Sequence, residues 1–227
     1  MSHGLRWHLP HGVTCCFSTA ADGDLRDPLA RGTWLRRVRG SERHAVVRQV
    51  HGAGIVTAVP TAPLPDADGM VTSEVEVALI AFGADCPGLC IAAPDVLGIA
   101  HCGWRGTAAG IVGNLVAAVA RRSRHPIACF GALIGPGIAA DDYEVDAPVL
   151  DARPWPPASV RPGRDGHAWL DLTAAIHGDL SHCGISDIVT ATERTSRDPR
   201  LWSYRRDGRG LVQGLAAWRE NPSCRPT

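Results

Sequence analysis

The chain has 227 residues, 45% of them apolar, with 23 basic and 23 acidic side chains and zero formal charge. This suits a globular chain with a sizeable core and excludes a disordered one; scattered basic residues at zero net charge argue against a nucleic-acid partner. No apolar run is long enough to cross a membrane, and "MSHGLRWHLPHG" lacks a signal peptide's basic start and apolar stretch, so a cytoplasmic location is expected.

The first 44 residues are poorly patterned. "VTCCFST" reads as a short strand and "DPLARGTWLRRV" as a short helix after an Asp-Pro start. "HAVVRQVHG" reads as a strand ending at a turn, "GIVTAV" continues extended, and "TAPLPDADG" is a Pro- and Asp-rich loop. "VEVALIAFGA", "LCIAAP" and "LGIAHCG" are three buried strands, apolar nearly throughout, as sheet covered on both faces requires. "RGTAAGIVGNLVAAVARR" has apolar Ile111, Leu115, Val116 and Val119 at helical spacing and arginines near its C-terminus.

"IACFGALIGPGI" reads as a strand followed by a Gly-Pro-Gly loop. Residues 151–166 are a Pro-rich excursion, a surface loop or a lid. "WLDLTAAIHGDLSHCG" is an amphipathic helix, "ISDIVTAT" a strand, "LWSYRRDGRG" an exposed strand and turn, and "LVQGLAAW" a closing strand. No repeat or linker interrupts this order. The expected class is α/β, one domain over residues 1–227 with sheet sandwiched by helices.

Every basic residue is arginine, which removes Schiff-base lysine catalysis and the P-loop lysine. The eight cysteines form no CxxC pattern, and most lie in apolar segments. Buried thiols with one metal ligand among them suit this better than disulfides.

His51, Cys86 and His101 each end a predicted strand beside glycine or proline, where a scaffold presents functional side chains. Two imidazoles and a thiol with a fourth position open are the composition of a catalytic zinc site. Cys86 and one histidine would equally make a nucleophile and base, and all three would serve as packed core. Arg105 follows His101 at a helix start, placed to hold a phosphate or carboxylate, or to pair on the surface. Asp66 and Asp68 read as loop acids, Asp85 as a carboxylate that orients a histidine, and Arg205 and Arg206 as solvated charges. The ten histidines include no His-x-His pair, which argues against a three-domain multicopper oxidase.

"RQVHGAGIV", the run from Asp66 to Ile111, "IGPGIAADDYEV" and "WSYRRDG" resemble, in order, the motifs of the laccase-domain family, also called multicopper polyphenol oxidoreductase-like or peptidoglycan editing factor proteins. The resemblance covers about residues 45–214. It implies a layered sandwich of mixed β-sheets covered by helices, similar to some cysteine hydrolases. It implies a metal held by His51, Cys86 and His101, zinc by expectation and copper by substitution. The activity implied is phosphorolysis of adenosine, inosine and methylthioadenosine, with deamination of adenosine. Copper-dependent polyphenol oxidation and a Cys-His hydrolase or amidase editing peptidoglycan precursors are the alternatives. Arg105, assisted by Arg31 or Arg48, is the expected phosphate holder. The expected partners are nucleoside and phosphate, with no membrane, in a monomer or small homo-oligomer. The departures are an abbreviated N-terminus, Ala30-Arg31 where the family has Asn-Arg, Arg194 near the place of a family cysteine, and Gly137 where cysteine is common.

Overall fold

The computed structural model describes residues 4–59, 64–208 and 210–220. The chain opens with an antiparallel hairpin, β1 (Leu5–Leu9) and β2 (Val13–Phe17). The helix α1 (Pro28–Arg39) starts where the Asp27 side chain accepts from the Leu29 amide and stops at Gly40, at φ 72°. Short strands β3 (His44–Ala45), β4 (Ile55–Thr57) and β5 (Gly69–Thr72) follow, then the buried strands β6 (Ala78–Gly83), β7 (Gly88–Ala92) and β8 (Leu97–His101).

Next come α2 (Trp104–Ala108) and α3 (Ile111–Ala120), separated by Gly110 at φ 86°. The strand β9 (Gly131–Ile134) leads to β10 (Glu144–Asp146), α4 (Ala147–Leu150), β11 (Val160–Pro162) and β12 (His167–Leu170). The chain ends with α5 (Leu172–His182), β13 (Asp187–Thr190), α6 (Tyr204–Asp207) and β14 (Gln213–Arg219).

Three mixed or antiparallel sheets result. One has the order β1-β2-β14-β6-β3, a second β13-β9-β7-β8-β5-β4, and a small third β10-β12-β11. The two large sheets pack face to face. Cys15, Phe17, Leu79, Ala81, Leu215 and Ala217 of the first meet Met70, Cys90, Leu97, Ile99 and Leu133 of the second. Because side chains alternate across a strand, the intervening residues face outward. Cys16, Ile80, Phe82 and Trp218 pack under Trp34, Leu35 and Val38 of α1. Leu89, Ile91, Ala100, Ala132 and Ile134 pack under α3 and α5. Both large sheets are thus buried on both faces, which accounts for the continuous apolar runs.

The α/β sandwich agrees with expectation; several local boundaries do not. "HAVVRQVHG" is strand only at His44–Ala45, because its later amides bind the Asp68 carboxylate instead of a neighbouring strand. The loop expected over 61–69 lies outside the described residues at 61–63, and its last residue opens a buried strand. A Cβ on Gly69 would meet Ile55 Cδ1 at 2.5 Å and the Ile99 carbonyl oxygen at 2.9 Å, so only glycine lets these strands close.

The helix expected over 105–122 is broken at Gly110. The Pro-rich excursion adds β11 to the third sheet, and the residues at 169–170, expected helical, finish β12. "WSYRRDG" forms α6, not a strand, because the Ser203 hydroxyl caps it by accepting from the Arg206 amide at 3.2 Å. Among the described residues, no helix is long and apolar enough to cross a membrane.

Candidate metal centre

The three candidate ligands converge through different parts of the sandwich. His51 lies in the loop between β3 and β4, at φ 58°. Cys86 lies where the chain leaves β6 of one large sheet to enter β7 of the other. His101 ends β8, opposite Gly88 in the register. One ligand atom from each residue lies within 4.8 Å of the others. The rings of His51 and His101 meet edge to face, with centroids 4.9 Å apart. His101 is buried, Cys86 half-buried and His51 exposed, so the cluster opens to solvent on the His51 side.

Asp68 ties two of these residues together. Its carboxylate accepts from the amides of Val50 at 3.1 Å, His51 at 3.0 Å and Gly52 at 2.7 Å. The same carboxylate lies 2.9 Å from Nδ1 of His101, while the Asp68 carbonyl accepts from the His101 amide at 2.7 Å. His101 Nδ1 is therefore occupied as a donor, and Nε2 is left for the cluster. Burial by itself would raise the Asp68 carboxyl. Hydrogen bonds from His101 and from the Gly52 and Val50 amides outweigh it and hold the carboxyl below its usual range.

Burial also pushes the Cys86 thiol up, but hydrogen bonds from His101 and His51 bring it down to about 7. Burial opposes charge on His101, yet Asp68 and Cys86 raise it to about 9. The cluster thus favours a thiolate, the form that binds metal or attacks carbon.

Glycine shapes the floor. A Cβ on Gly103 would stand 3.0 Å from Cys86 Sγ, 3.4 Å from His51 Cδ2 and 3.5 Å from His101 Cε1. Gly103→Ala is expected to leave the chain folded while weakening metal binding several-fold, because the methyl must displace the thiol. Equilibrium metal titration against the unmutated protein measures this; equal affinity would show that the thiol moves freely.

Two imidazoles, one of them backed by a carboxylate, and a thiolate-prone sulfur fit zinc, and also copper. Residues 29–218 match the family described as multi-copper polyphenol oxidoreductase laccase. The chain belongs to that family.

Similar proteins in this laccase family carry a second description. The chain is 36% identical over 207 residues to a protein named purine nucleoside phosphorylase YlmD of Geobacillus stearothermophilus, covering 86% of this chain and 73% of that one. It is 33% identical over 201 residues to purine nucleoside phosphorylase SCO2081 of Streptomyces coelicolor, covering 87% and 78%. Among solved structures, NMB0706 of Neisseria meningitidis superposes with a TM-score of 0.88 at 26% identity, over 97% of this chain and all of that one. The structure of YlmD from Geobacillus stearothermophilus gives 0.84 at 27% identity, over 94% of each.

Around the laccase-family cluster, the arginines separate by what their guanidiniums hold. Arg105 stacks on Trp104, 4.3 Å from the ring centroid, and is exposed. No hydrogen bond or ion pair engages its guanidinium among the described residues. Arg48 is paired with Asp66, its Nη2 donating at 2.6 Å. Arg31, on α1, is buried, donating to the Leu25 and Arg26 carbonyls and to His44 Nε2. The structure thus engages Arg48 and Arg31 in local contacts and leaves Arg105 open.

Among the described residues, Asp85 hydrogen-bonds no histidine. At φ 92°, it accepts from the Thr195 hydroxyl at 2.6 Å and the Arg205 amide at 2.7 Å, tying α6 to the Cys86 loop. The histidine-orienting acid is Asp68, which the sequence left among loop acids. A carboxylate seventeen residues from one histidine and thirty-three from another has no spacing signature.

Proposed function

We propose that the chain is a metal-dependent purine nucleoside phosphorylase, with His51, Cys86 and His101 holding zinc and Arg105 holding phosphate. One observation carries this reading: two imidazoles and a thiol converge within 4.8 Å at the start of the helix that carries Arg105, whose guanidinium has no ion pair among the described residues. The names of the relatives supply the reaction class. Adenosine, inosine and methylthioadenosine are the proposed substrates, and deamination of adenosine the proposed second activity. Zinc in this site supplies Lewis acidity at the open face.

In phosphorolysis the bond from ribose C1′ to the purine nitrogen breaks and a bond from C1′ to a phosphate oxygen forms. The purine leaves with a proton, which balances the one that the attacking phosphate gives up. The chain's part is to fix the anion and the nucleoside so that these atoms meet. Asp68 keeps His101 in one tautomer and holds the His51 loop. Arg105 offers a planar fork of donors suited to a phosphate, and Trp104 restrains it without cancelling its charge.

The test is a product assay on protein of known metal content, with each nucleoside in the presence and absence of phosphate. Phosphate-dependent release of free purine supports the reading; its absence in metal-loaded protein overturns it. Arg105→Ala is expected to raise the phosphate KM about 30-fold, the scale of one charge-assisted hydrogen bond near 2 kcal/mol, with metal retained. An unchanged phosphate KM would remove Arg105 from the site.

One observation favours a second reading. Cys86, His101 and Asp68 follow one another as a nucleophile, a base and an orienting acid do in cysteine hydrolases. That reading requires rapid alkylation of Cys86 and activity without metal. Polyphenol oxidation, which the family description names, is tested by supplying copper and a phenol. Among the described residues, only the His51–Cys86–His101 cluster brings three such ligands together.

A further inference from the structure

The guanidiniums near the metal centre are mostly committed. Arg206 donates to the Thr195 and Leu201 carbonyls and to Asp207; Arg194 donates to the Ala191 and Glu193 carbonyls; Arg153 pairs with Asp179. Arg205 is different. Its guanidinium has one hydrogen bond, a long one of 3.3 Å to the Glu144 carbonyl, and no ion pair among the described residues. Most of its five donors stay open.

Three features place Arg205 in the same neighbourhood as Arg105. Its backbone amide donates to Asp85, the neighbour of Cys86, so α6 starts beside the metal loop. Its guanidinium lies 5.2 Å from the centroid of the Tyr143 ring. Tyr143 and Trp104, the two aromatic rests, pack on one apolar cluster of Val145, Val149 and Leu170. Burial and then the Cys86 charge push the Tyr143 hydroxyl up, while Arg205 and Arg105 oppose them, as groups sharing one neighbourhood do.

The surrounding acids are spoken for. Asp85 accepts from Thr195 and the Arg205 amide, Glu144 pairs with Arg164, and Asp142 pairs with Arg197. Among the described residues, the guanidiniums of Arg105 and Arg205 thus rest on aromatic rings without an ion pair. Arg105 stands two residues after Gly103, which lies against Cys86, and Arg205 is a residue whose amide binds Asp85. A doubly charged oxyanion is the ligand that such a pair fits.

We infer that Arg205, resting on Tyr143, is the second arm of the phosphate site, closing with Arg105 over a single inorganic phosphate beside the metal centre. The inference rests on the phosphorylase reading and extends it to a residue on α6. It assigns to "SYRR" two separate duties: Arg206 holds the fold, and Arg205 holds the anion.

The test is calorimetric titration of metal-loaded protein with inorganic phosphate, at saturating adenosine analogue, on the unmutated chain, Arg105→Ala, Arg205→Gln and Tyr143→Ala. Arg205→Gln is expected to weaken phosphate at least about ten-fold with metal content and analogue affinity unchanged. Tyr143→Ala should weaken it by a smaller factor, through loss of the rest. Unchanged phosphate affinity in Arg205→Gln, with weakening in Arg105→Ala, overturns this inference and leaves the phosphorylase reading standing. No phosphate binding to the unmutated protein overturns both. The 5′-phosphate of a nucleotide presents the same oxyanion, so AMP is titrated in parallel. A site that takes AMP but not free phosphate also overturns the inference.

Discussion

Cys86→Ala and His101→Ala are each expected to reduce bound zinc from about one ion per chain to none, and phosphate-dependent purine release by at least about a thousandfold. That loss corresponds to ~4 kcal/mol of transition-state stabilisation, within what a Lewis-acidic metal supplies. The fold should persist, because the sandwich is held by the apolar layers between and outside its sheets, not by the rim where the cluster sits. Metal analysis, circular dichroism and the product assay together read this out. Full phosphorolysis by metal-free Cys86→Ala protein would defeat the metal reading. The hydrolase reading makes the opposite demand: Cys86→Ser would lose activity in protein that never held metal, and the unmutated chain would yield a trappable acyl-enzyme.

The second large effect belongs to Asp68, whose side chain is fully buried and accepts from three amides and one imidazole. Asp68→Ala would orphan all of them at once. Stability should fall by about 3 kcal/mol or more, since each lost partner of a buried charged acceptor costs on the order of 1–3 kcal/mol. Asp68→Asn is the more informative change. It keeps the volume and one acceptor oxygen but removes the charge that fixes His101 as a donor at Nδ1. Zinc affinity is expected to drop about 10–100-fold while most of the fold is retained. Competition with a chromogenic chelator measures it. An Asn variant that binds zinc as tightly as the unmutated chain would show that packing alone orients His101.

Much of the scaffold was legible because it follows from period and polarity. "VEVALIAFGA", "LCIAAP" and "LGIAHCG" are apolar on both faces, and each yields a strand covered on both sides. The apolar spacing from Ile111 to Val119 gives the helix α3. What the pattern could not register was pairing and packing of short segments. β1 is a short edge strand whose pairing is to β2 alone, and β5 is a short strand that depends on β8, distant in sequence, so neither announced itself. α6 looked like a strand because its four residues carry no helical period; a Ser203 cap and the Asp85 carboxylate 120 residues away decide its conformation.

The candidate site divides in the same way. The sequence by itself determined which side chains carry N and S donors, set His51 before a glycine and Cys86 before a proline, and put His101 at the end of an apolar run. Only the tertiary structure decided that these three meet, since two sheets and a loop must bring together residues up to 50 positions apart. It alone separated Asp68 from Asp66, burying one behind His101 and leaving the other on the surface with Arg48. It separated Arg205 from Arg206 in the same manner, freeing one guanidinium and spending the other on backbone carbonyls. The physical reason is that hydrogen bonding and charge pairing depend on distance in space, and neighbours in a sequence that turns sharply can face opposite surroundings.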